Sequence, residues 1–551
     1  MEKRVILAFA LSIAVMYAFN ALYRTQSRVA APEQPTVTDS PAAGKAPSAP
    51  PEPTKVEKPT ESREVPQALG DNVRAESAED FSIDTPFYTA RISNVGGVLK
   101  SYRLKQYSDG EGHPLELINQ TAGEKVGWPM VASTGDKALD DELQKAQFQG
   151  RLEDGKLTLD FADGGLQARK IFQADRENYE FTIQSSIVKA GKDVTHSLVW
   201  QGGFGDQSIP QDPTKKNAVY QVDTAFKRIA LRGIKEQQQL TSFRAGVEDQ
   251  YFLGMFLSPD APMTAHVTKQ EYPGSDGKPV PVLVVSATVP SSAGFRVYAG
   301  PKQKDWLSKA DPQLTNTLDY GYFGFIARPL VYCLLWIHGY IGNFGWSIIL
   351  LTIVLNLVLF PLRLKQQVSM LKMQKIQPKM RRLQDQYKKL KATDPRRAQV
   401  QSEMMNLYKE HGVNPMGGCL PLILQMPLLF GFYSALAYSI ELRRAPWIFW
   451  IKDLSQYDPY YVIPILMAVA MILQQKLTPT ANVDPAQAKM MMLMPLMMTF
   501  MFLFYSSGLA LYWLTGSIIG VVQQVYINKY WSPQAEAKVS AASRPDEPRG
   551  A

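Results

Sequence analysis

The chain has 551 residues, which is more than one small domain requires and indicates about two to four domains. Its net charge is +8, 45 % of its residues are apolar, and its two cysteines exclude a disulfide-stapled scaffold. The five histidines (His113, His196, His266, His338 and His411) are too scattered for a His-rich metal site, and we predict neither a metal nor a cofactor.

The N-terminus carries an apolar segment. Residues 5–23 are almost unbroken apolar and follow Lys3 and Arg4. A helix of about 20 apolar residues spans a bilayer, whereas the apolar core of a cleaved signal peptide has about 7–15. The length of the run and the poor cleavage site at residues 27–30 favour an uncleaved transmembrane anchor over residues 1–24. The two basic residues place its N-terminus in the cytoplasm.

The next segment is rich in proline. Nine prolines lie between residues 31 and 67, separated mainly by Ala, Ser, Glu and Lys. Such a composition cannot bury an apolar core, so we predict a disordered, extended tether over residues 25–78.

Alternating patterns follow over residues 79–305. Residues 157–161 and 179–183 alternate apolar and polar side chains with period two, and residues 282–289 are rich in β-branched side chains. Turn signals such as Gly96-Gly97 separate these runs. The pattern predicts an all-β domain, an antiparallel sheet or sandwich. It contains neither a Gly-x-Ser-x-Gly elbow nor a phosphate-binding loop, so we predict no enzymatic activity.

The last part of the chain, residues 343–530, has the composition of a membrane domain. Apolar stretches that approach or reach spanning length cover residues 344–362, 419–440, 461–475, 490–505 and 509–527. With the N-terminal anchor they predict an α-helical bundle of six transmembrane helices. Residues 531–551 are predicted to be a disordered cytoplasmic tail.

Residues 306–342 precede this bundle. Residues 320–340 are rich in aromatic side chains but contain Arg328 and Pro329. They look too interrupted to span a membrane, and we predict an amphipathic helix lying in the interface.

One basic segment sets the orientation. Residues 363–411 hold thirteen Lys and Arg against four Asp and Glu, a net charge of +9. The positive-inside rule places this segment in the cytoplasm, so we predict that the β domain lies on the outer side of the membrane and that both termini are cytoplasmic. Asp394 followed by Pro395 is typical of a helix start and predicts a helical hairpin. The basic residues that we single out in it are Lys379, Arg381, Arg382, Lys388, Lys389, Arg396 and Arg397.

Polar side chains occur inside the apolar stretches. Thr352 and Asn356 are four residues apart and share one helix face, while Gln425 and Ser517 lie in two other spans. Such residues either form hydrogen bonds between helices, each worth about 0.6 kcal/mol, or line a hydrophilic groove.

Methionine is concentrated in the same region, with 16 of 21 between Met370 and Met501. It is used for adaptable packing and on surfaces that accept varied apolar partners, and both interpretations stay open.

Several longer motifs are similar to those of a known family. They are residues 298–302 (YAGPK), 360–362 (FPL), 414–427 (NPMGGCLPLILQMP), 441–446 (ELRRAP), 458–461 (DPYY) and 507–513 (SGLALYW). These motifs resemble the YidC family of membrane protein insertases. The order of anchor, tether, outer β domain, interfacial helix and five further spans resembles its Gram-negative form.

The resemblance implies an insertase and chaperone of the bacterial inner membrane, which works as a monomer, alone or with the Sec translocon. A hydrophilic groove would receive nascent membrane proteins and release them into lipid. The outer domain would be a β-supersandwich, and the ribosome and targeting factors would act at the cytoplasmic hairpin.

The resemblance also implies roles for individual residues. Thr352 matches a polar groove position, and Tyr512 and Trp513 match an aromatic pair that includes a substrate contact. Asn356 departs from the family, which usually has Arg or Lys there, and Arg363 lies seven residues further on, on roughly the same face. The predicted substrate groove consists of six residues: Thr352, Asn356, Gln425, Tyr512, Trp513 and Ser517.

Two other functions fit a membrane protein with an outer domain. A transporter with a periplasmic binding domain would be expected to carry ionisable residues at mid-membrane or repeated halves, and the sequence shows neither. A membrane-anchored envelope scaffold would have tightly packed spans without a groove.

Overall fold

The computed structural model describes residues 70, 72–209, 213–258, 261–274, 277–289, 294–391, 394–410, 420–478 and 485–530. These residues belong to the unit Ala68–Ala551. The predicted N-terminal anchor, most of the tether and the C-terminal tail lie outside the described residues.

The predicted all-β domain is confirmed. Its described strands all pair in antiparallel fashion. They are β1 Asp80–Asp84, β2 Tyr88–Ser93, β3 Val98–Ser108, β4 Pro114–Glu116, β5 Val131–Ser133, β6 Gln149–Glu153, β7 Lys156–Asp163, β8 Leu166–Ala174, β9 Glu180–Lys189, β10 Lys192–Asp193, β11 His196–Trp200, β12 Asn217–Val222, β13 Ala225–Ala230, β14 Gln238–Ser242, β15 Arg244–Glu248, β16 Phe252–Leu257, β17 Met263–Pro273, β18 Pro279–Val289 and β19 Gly294–Pro301.

The strands form three sheets. The largest has ten strands in the order β13-β12-β15-β16-β19-β9-β8-β7-β6, with β10 paired to β9. A five-stranded sheet runs β14-β17-β18-β11-β5, and a four-stranded one β1-β2-β3-β4. Trp200 on β11 contacts Phe256 on β16 edge to face, with ring centroids 5.8 Å apart. The two larger sheets therefore pack face to face over an aromatic core, as in a sandwich.

The helices follow the predicted apolar stretches. They are α1 Gln120–Val126, α2 Lys137–Lys145, α3 Lys304–Ala310, α4 Gly324–Ile341, α5 Phe344–Lys389, α6 Arg396–Glu410, α7 Leu420–Tyr438, α8 Val462–Leu477, α9 Pro485–Phe502 and α10 Ser507–Tyr530. Short 3-10 turns occur at Pro213–Lys215, Leu231–Gly233, Pro312–Thr317 and Ile440–Leu442.

Apolar helices of spanning length occur in the last 230 residues. Among the described residues, Gly324–Ile341, Phe344–Gln367 and Ser507–Tyr530 are long and apolar enough to cross a membrane. Val462–Leu477 and Met492–Phe502 are shorter apolar helices. The count of six transmembrane helices therefore stays a prediction.

Helix α4 differs from our expectation that residues 320–340 would be interrupted. It is one continuous helix of 18 residues with Pro329 inside it. Pro329 removes one hydrogen bond near the helix start, and Phe325, whose carbonyl loses that partner, is 70 % exposed. Because the loss is confined to an exposed first turn, it does not break the helix.

The β domain begins earlier than the sequence suggested. We expected the tether to continue to residue 78, but the Val73 N–H donates to the Ala162 carbonyl at 2.9 Å, and the Ala162 N–H donates back at 2.7 Å. The Ala75 N–H likewise donates to the Gln147 carbonyl at 3.0 Å. A few backbone hydrogen bonds to a sheet edge need no apolar pattern, so composition alone could not reveal them.

The basic segment forms two packed helices. α5 continues beyond its apolar part to Lys389, and Ile376 and Met380 on it pack against Leu407 on α6. The Asp394 carboxylate accepts a hydrogen bond from the Arg396 N–H at 3.0 Å, as predicted for a helix start. Five of the cations singled out in the sequence have exposed side chains: Lys379, Arg381, Arg382, Lys389 and Arg396. Arg397 is half-buried with its guanidinium 4.3 Å from the Tyr387 ring centroid, and the Lys388 side chain lies outside the described part.

A buried ion pair joins the β domain to the helices. The Arg443 guanidinium, in the loop between α7 and α8, lies 2.5 Å from the Asp206 carboxylate, and the two side chains are 4 % and 0 % exposed. Arg443 also donates to the Ser108 carbonyl at 3.1 Å. Nearby, Ile440 belongs to the apolar core of the β domain. The interface is thus held by polar contacts that are withdrawn from water.

Replacing Arg443 tests this interface. Arg443→Leu removes the cation next to the buried Asp206 carboxylate, and losing one partner of a buried pair costs about 3–5 kcal/mol. We expect a loss of this size in the free energy of unfolding, measured by denaturant titration of the full chain in detergent. The control Arg232→Leu changes an exposed arginine and should stay within about 0.5 kcal/mol of the parent protein. Equal midpoints for the two variants would show that the pair does not stabilise the structure.

Candidate functional site

A cavity of about 460 Å³ lies between the apolar helices. Helices α5, α7, α8, α9 and α10 all contribute to its wall. The polar side chains of the lining are Asn356, Arg363, Gln366, Gln367, Gln425, Gln474, Tyr512, Ser517, Gln523 and Gln524. We call this cavity the groove. Its position within a bundle of apolar helices distinguishes it from an ordinary surface pocket.

Five of the six predicted groove residues line the groove: Asn356, Gln425, Tyr512, Trp513 and Ser517. Thr352 is absent from this lining and is fully buried one helical turn before Asn356. Its hydroxyl donates to the Ile348 carbonyl at 2.7 Å, within its own helix. The four-residue spacing thus places both side chains inside the bundle, but only Asn356 reaches the cavity.

The wall formed by α5 carries three side-chain amides that each have an unsatisfied atom. The Asn356 side-chain N–H donates to the Thr352 carbonyl at 2.7 Å, while its Oδ1 is buried and has no hydrogen-bond partner in the described part of the chain. Gln366 Nε2 and Gln367 Oε1 also lie on the groove wall, and both are likewise buried without a hydrogen-bond partner among the described residues. Buried polar atoms rarely stay without a partner, so these three atoms favour a groove that takes up water or polar substrate groups.

The cation of the groove is Arg363. One Arg363 Nη donates to Gln523 Oε1 at 3.1 Å, and Gln523 Nε2 donates to the Asn356 carbonyl at 3.3 Å. With a rise of 1.5 Å per residue, Arg363 lies about 10 Å along α5 from Asn356, toward the α5–α6 hairpin.

The opposite wall carries the aromatic pair. Gln425 Nε2 donates to the Tyr512 hydroxyl at 3.3 Å, and the Tyr512 ring stacks on Phe432 with centroids 4.0 Å apart. Trp513 is half-buried and contacts Phe502, with centroids 5.4 Å apart. Tyr512 is therefore fixed by packing, while the Trp513 ring is partly available to a ligand in the groove.

Methionines complete the lining. Met426, Met471, Met494 and Met498 line the groove beside the glutamines. Their unbranched, polarizable side chains adapt to apolar groups of different shape. The wall thus combines polar groups with deformable apolar ones.

The sequence prediction missed several glutamines. Arg363 comes seven residues after Asn356, and Gln366 and Gln367 come three and four residues after Arg363. These intervals place all four side chains on one stripe of α5. That stripe was visible in the sequence. Gln474 was not, because it stands at the polar end of α8 and only the packing of α8 against α10 brings it to the groove.

The described residues contain no cluster of three or more His, Cys, Asp or Glu side chains that could hold a metal ion. The groove itself has a single charged residue in its described lining, Arg363. This composition suits hydration and weak polar contacts better than acid–base chemistry, which requires positioned titratable groups.

Comparison with known proteins gives the same assignment for both parts of the chain. Residues 80–333 match the model of the YidC periplasmic domain, and residues 336–535 match the 60Kd inner membrane protein model. The membrane protein insertase YidC of Citrifermentans bemidjiense is 35 % identical over 96 % of this chain and 99 % of its own length. The chain belongs to the YidC family.

A second curated relative and a solved structure are also similar to this chain. The membrane protein insertase YidC of Geobacter sp. strain M21 is also 35 % identical, over 96 % of this chain and 99 % of its own. A crystal structure of an active YidC insertase with its first transmembrane domain resolved is 20 % identical, with a TM-score of 0.35, over 84 % of this chain and 95 % of that one. The resemblance drawn from the sequence motifs is thus confirmed by the family models and the full-length relatives.

Proposed function

We propose that this chain inserts nascent membrane proteins into the bacterial inner membrane and assists their folding there. Relatives that are named membrane protein insertases match nearly its whole length. The observation that carries the proposal is the groove, which presents ten polar side chains inside a bundle of apolar helices. A scaffold that used its helices only as anchors would have no need of such a cavity.

The groove lowers the barrier to moving a polar tail across the membrane. A charged side chain at the centre of a bilayer costs about 2.5–3.5 kcal/mol on insertion scales. Glutamine, asparagine and serine side chains near mid-membrane hydrate the tail for part of the way and reduce this cost. No covalent step is required.

The driving force comes from the apolar segment of the substrate. Its transfer from water into lipid gains about 25 cal/mol per Å² of apolar surface. Met492, Met497 and Phe500 on α9 are 67 %, 56 % and 66 % exposed, and they offer a deformable surface along which such a segment can slide.

Arg363 supplies the positive charge that acts on acidic tails. In this chain Asn356 replaces the basic residue usual in the family, and the charge lies two helical turns closer to the hairpin. A tail that enters from that end meets Arg363 first and the uncharged amide of Asn356 afterwards. The cation thus attracts the tail at the entrance, where a charge costs less than it would at the centre of the bilayer.

The remaining architecture follows the topology inferred from charge. The N-terminal anchor and five helices of the core span the membrane, the α5–α6 hairpin and both termini lie in the cytoplasm, and the β domain lies in the periplasm. The exposed cations of the hairpin suit contact with the ribosome and targeting factors. The protein acts as a monomer, alone or with the Sec translocon.

Photo-crosslinking tests whether substrate enters the groove. A photo-reactive amino acid in place of Trp513 should capture ribosome-bound nascent membrane proteins, because Trp513 lines the cavity and is half-buried. The matched control is Val522, which is 63 % exposed on the opposite face of the same helix. Adducts of equal yield at both positions, or none at Trp513 in a folded protein, would contradict entry through the groove.

Moving the cation tests its role. Arg363→Gln should slow insertion of a substrate with an acidic tail by about tenfold, the loss of one charge-assisted contact. Insertion of a substrate with an uncharged tail should change little. Adding Asn356→Arg to Arg363→Gln should restore insertion of the acidic substrate.

The measurement is the inserted fraction against time in proteoliposomes. Arg363→Lys, which keeps the charge, is the matched control. An equal effect of Arg363→Gln on both substrates would show that Arg363 only supports the packing of α5 and α10.

A further inference from the structure

A second cavity, of about 480 Å³, lies where the β domain meets the helices. One wall is formed by residues 302–305, at the start of α3, and by residues 315–320. The other wall is formed by Arg328, Tyr332 and Leu335 on α4, and Tyr438 and Glu441 close it at the end of α7. None of these residues lines the groove.

The cavity lies at the level of lipid headgroups. The β domain has a polar surface that belongs in water, whereas α4 and α7 are apolar helices, so their junction marks the boundary of the bilayer. Tyr332, Trp336 and Tyr340 on α4 are 53 %, 67 % and 77 % exposed. Exposed tyrosine and tryptophan side chains are typical of this boundary.

Two cations of the cavity, Lys304 and Arg328, make only weak contacts with the protein. The Lys304 ammonium lies 5.0 Å from the Tyr332 ring centroid, and the Arg328 guanidinium has the Leu318 carbonyl at 3.5 Å, beyond a good hydrogen bond. Neither side chain forms an ion pair with a described residue. Lys302, by contrast, is occupied, since it donates to the Asp249 carbonyl at 2.7 Å.

The same cavity contains two acids. Glu441 is half-buried, and burial raises the pKa of its carboxyl. Hydrogen bonds with its own backbone and with Ser439 lower this pKa in part, and the neighbouring Asp305 raises it. In the described part of the chain no ion pair compensates either carboxylate. A half-buried carboxylate without a cation is costly, so the site favours a ligand that brings a positive group.

The cavity lining thus carries both cations and carboxyl groups, which fits a zwitterion. We propose that this cavity binds the headgroup of a phospholipid of the phosphatidylethanolamine class. Lys304 and Arg328 contact the phosphate, and the primary ammonium donates hydrogen bonds to Glu441 and Asp305. The acyl chains leave along Val331 and Leu335 on α4. The lipid thereby joins the β domain to the membrane helices.

Native mass spectrometry of the full chain, purified in detergent and stripped of lipid, tests this site. The probe is dioleoylphosphatidylethanolamine. Dioleoylphosphatidylcholine, whose ammonium cannot donate hydrogen bonds, and dioleoylphosphatidylglycerol, which has no ammonium, are the comparison lipids. We expect the ethanolamine lipid to bind about tenfold more tightly than either, the worth of one charge-assisted hydrogen bond.

Soluble phosphoethanolamine distinguishes a lipid from a free phosphate ester. At equal concentration it should not displace the lipid, because it lacks the acyl chains. Efficient displacement by phosphoethanolamine would identify a soluble ligand and overturn the lipid assignment.

Variants assign the two ends of the headgroup. Glu441→Gln should remove the preference for ethanolamine over choline, and Asp305→Asn, at an exposed position that tolerates substitution, should reduce it. Arg328→Gln should weaken all three lipids together, because all three carry the phosphate. The control Arg232→Gln, on the exposed surface of the β domain, should change none of them. Equal binding of ethanolamine and choline lipids, or a preference that survives both acid variants, would contradict the proposal.

Discussion

A polar group inside a bilayer must find a partner, and the membrane part of this protein is organised around that constraint. Thr352, Thr499 and Thr515 satisfy it locally, since each hydroxyl donates to the carbonyl four residues earlier in its own helix. Asn356 Oδ1 has no such partner among the described residues, and it faces the groove together with Gln366 and Gln367. The hydroxyls that are paired within their own helix thus lie outside the groove lining, whereas the unpaired amide atoms lie in it. That cavity is the part of the fold to which we assign insertion.

The same constraint explains how the two domains are joined. A charged pair withdrawn from water is stable only with good geometry, and Arg443 achieves this with Asp206, the Ser108 carbonyl and the Ser208 hydroxyl. The arginine comes from a loop between membrane helices, and its partners come from the β domain. This contact joins the β domain to the helix bundle. The groove and its outer covering are therefore parts of one structure.

Much of this structure could be predicted from local sequence patterns. Period-two alternation predicted the β domain, and apolar runs predicted the helices. Polar residues inside those runs (Asn356, Gln425 and Ser517) and the family resemblance, which added Tyr512 and Trp513, predicted side chains that the structure brings together. The failures concern features that only packing decides. The depth of Thr352 and the pairing of Val73 with Ala162 depend on neighbours distant in sequence. The continuity of α4 through Pro329 depends on the exposure of its first turn. The contact of Arg443 with Asp206 spans 237 residues, so no local pattern could reveal it.

The most direct test of the account is whether water reaches the groove. In a protein with Cys333→Ser and Cys419→Ser, single cysteines at Gln425, Ser517 and Val522 would be treated with a charged, membrane-impermeant maleimide in inverted membrane vesicles. A thiol must ionise to react, which requires water. We expect Gln425→Cys and Ser517→Cys to be labelled, while Val522→Cys, which faces away from the groove, stays unlabelled. Groove positions as unreactive as Val522→Cys would contradict the claim that the helices enclose a hydrated path for polar substrate segments.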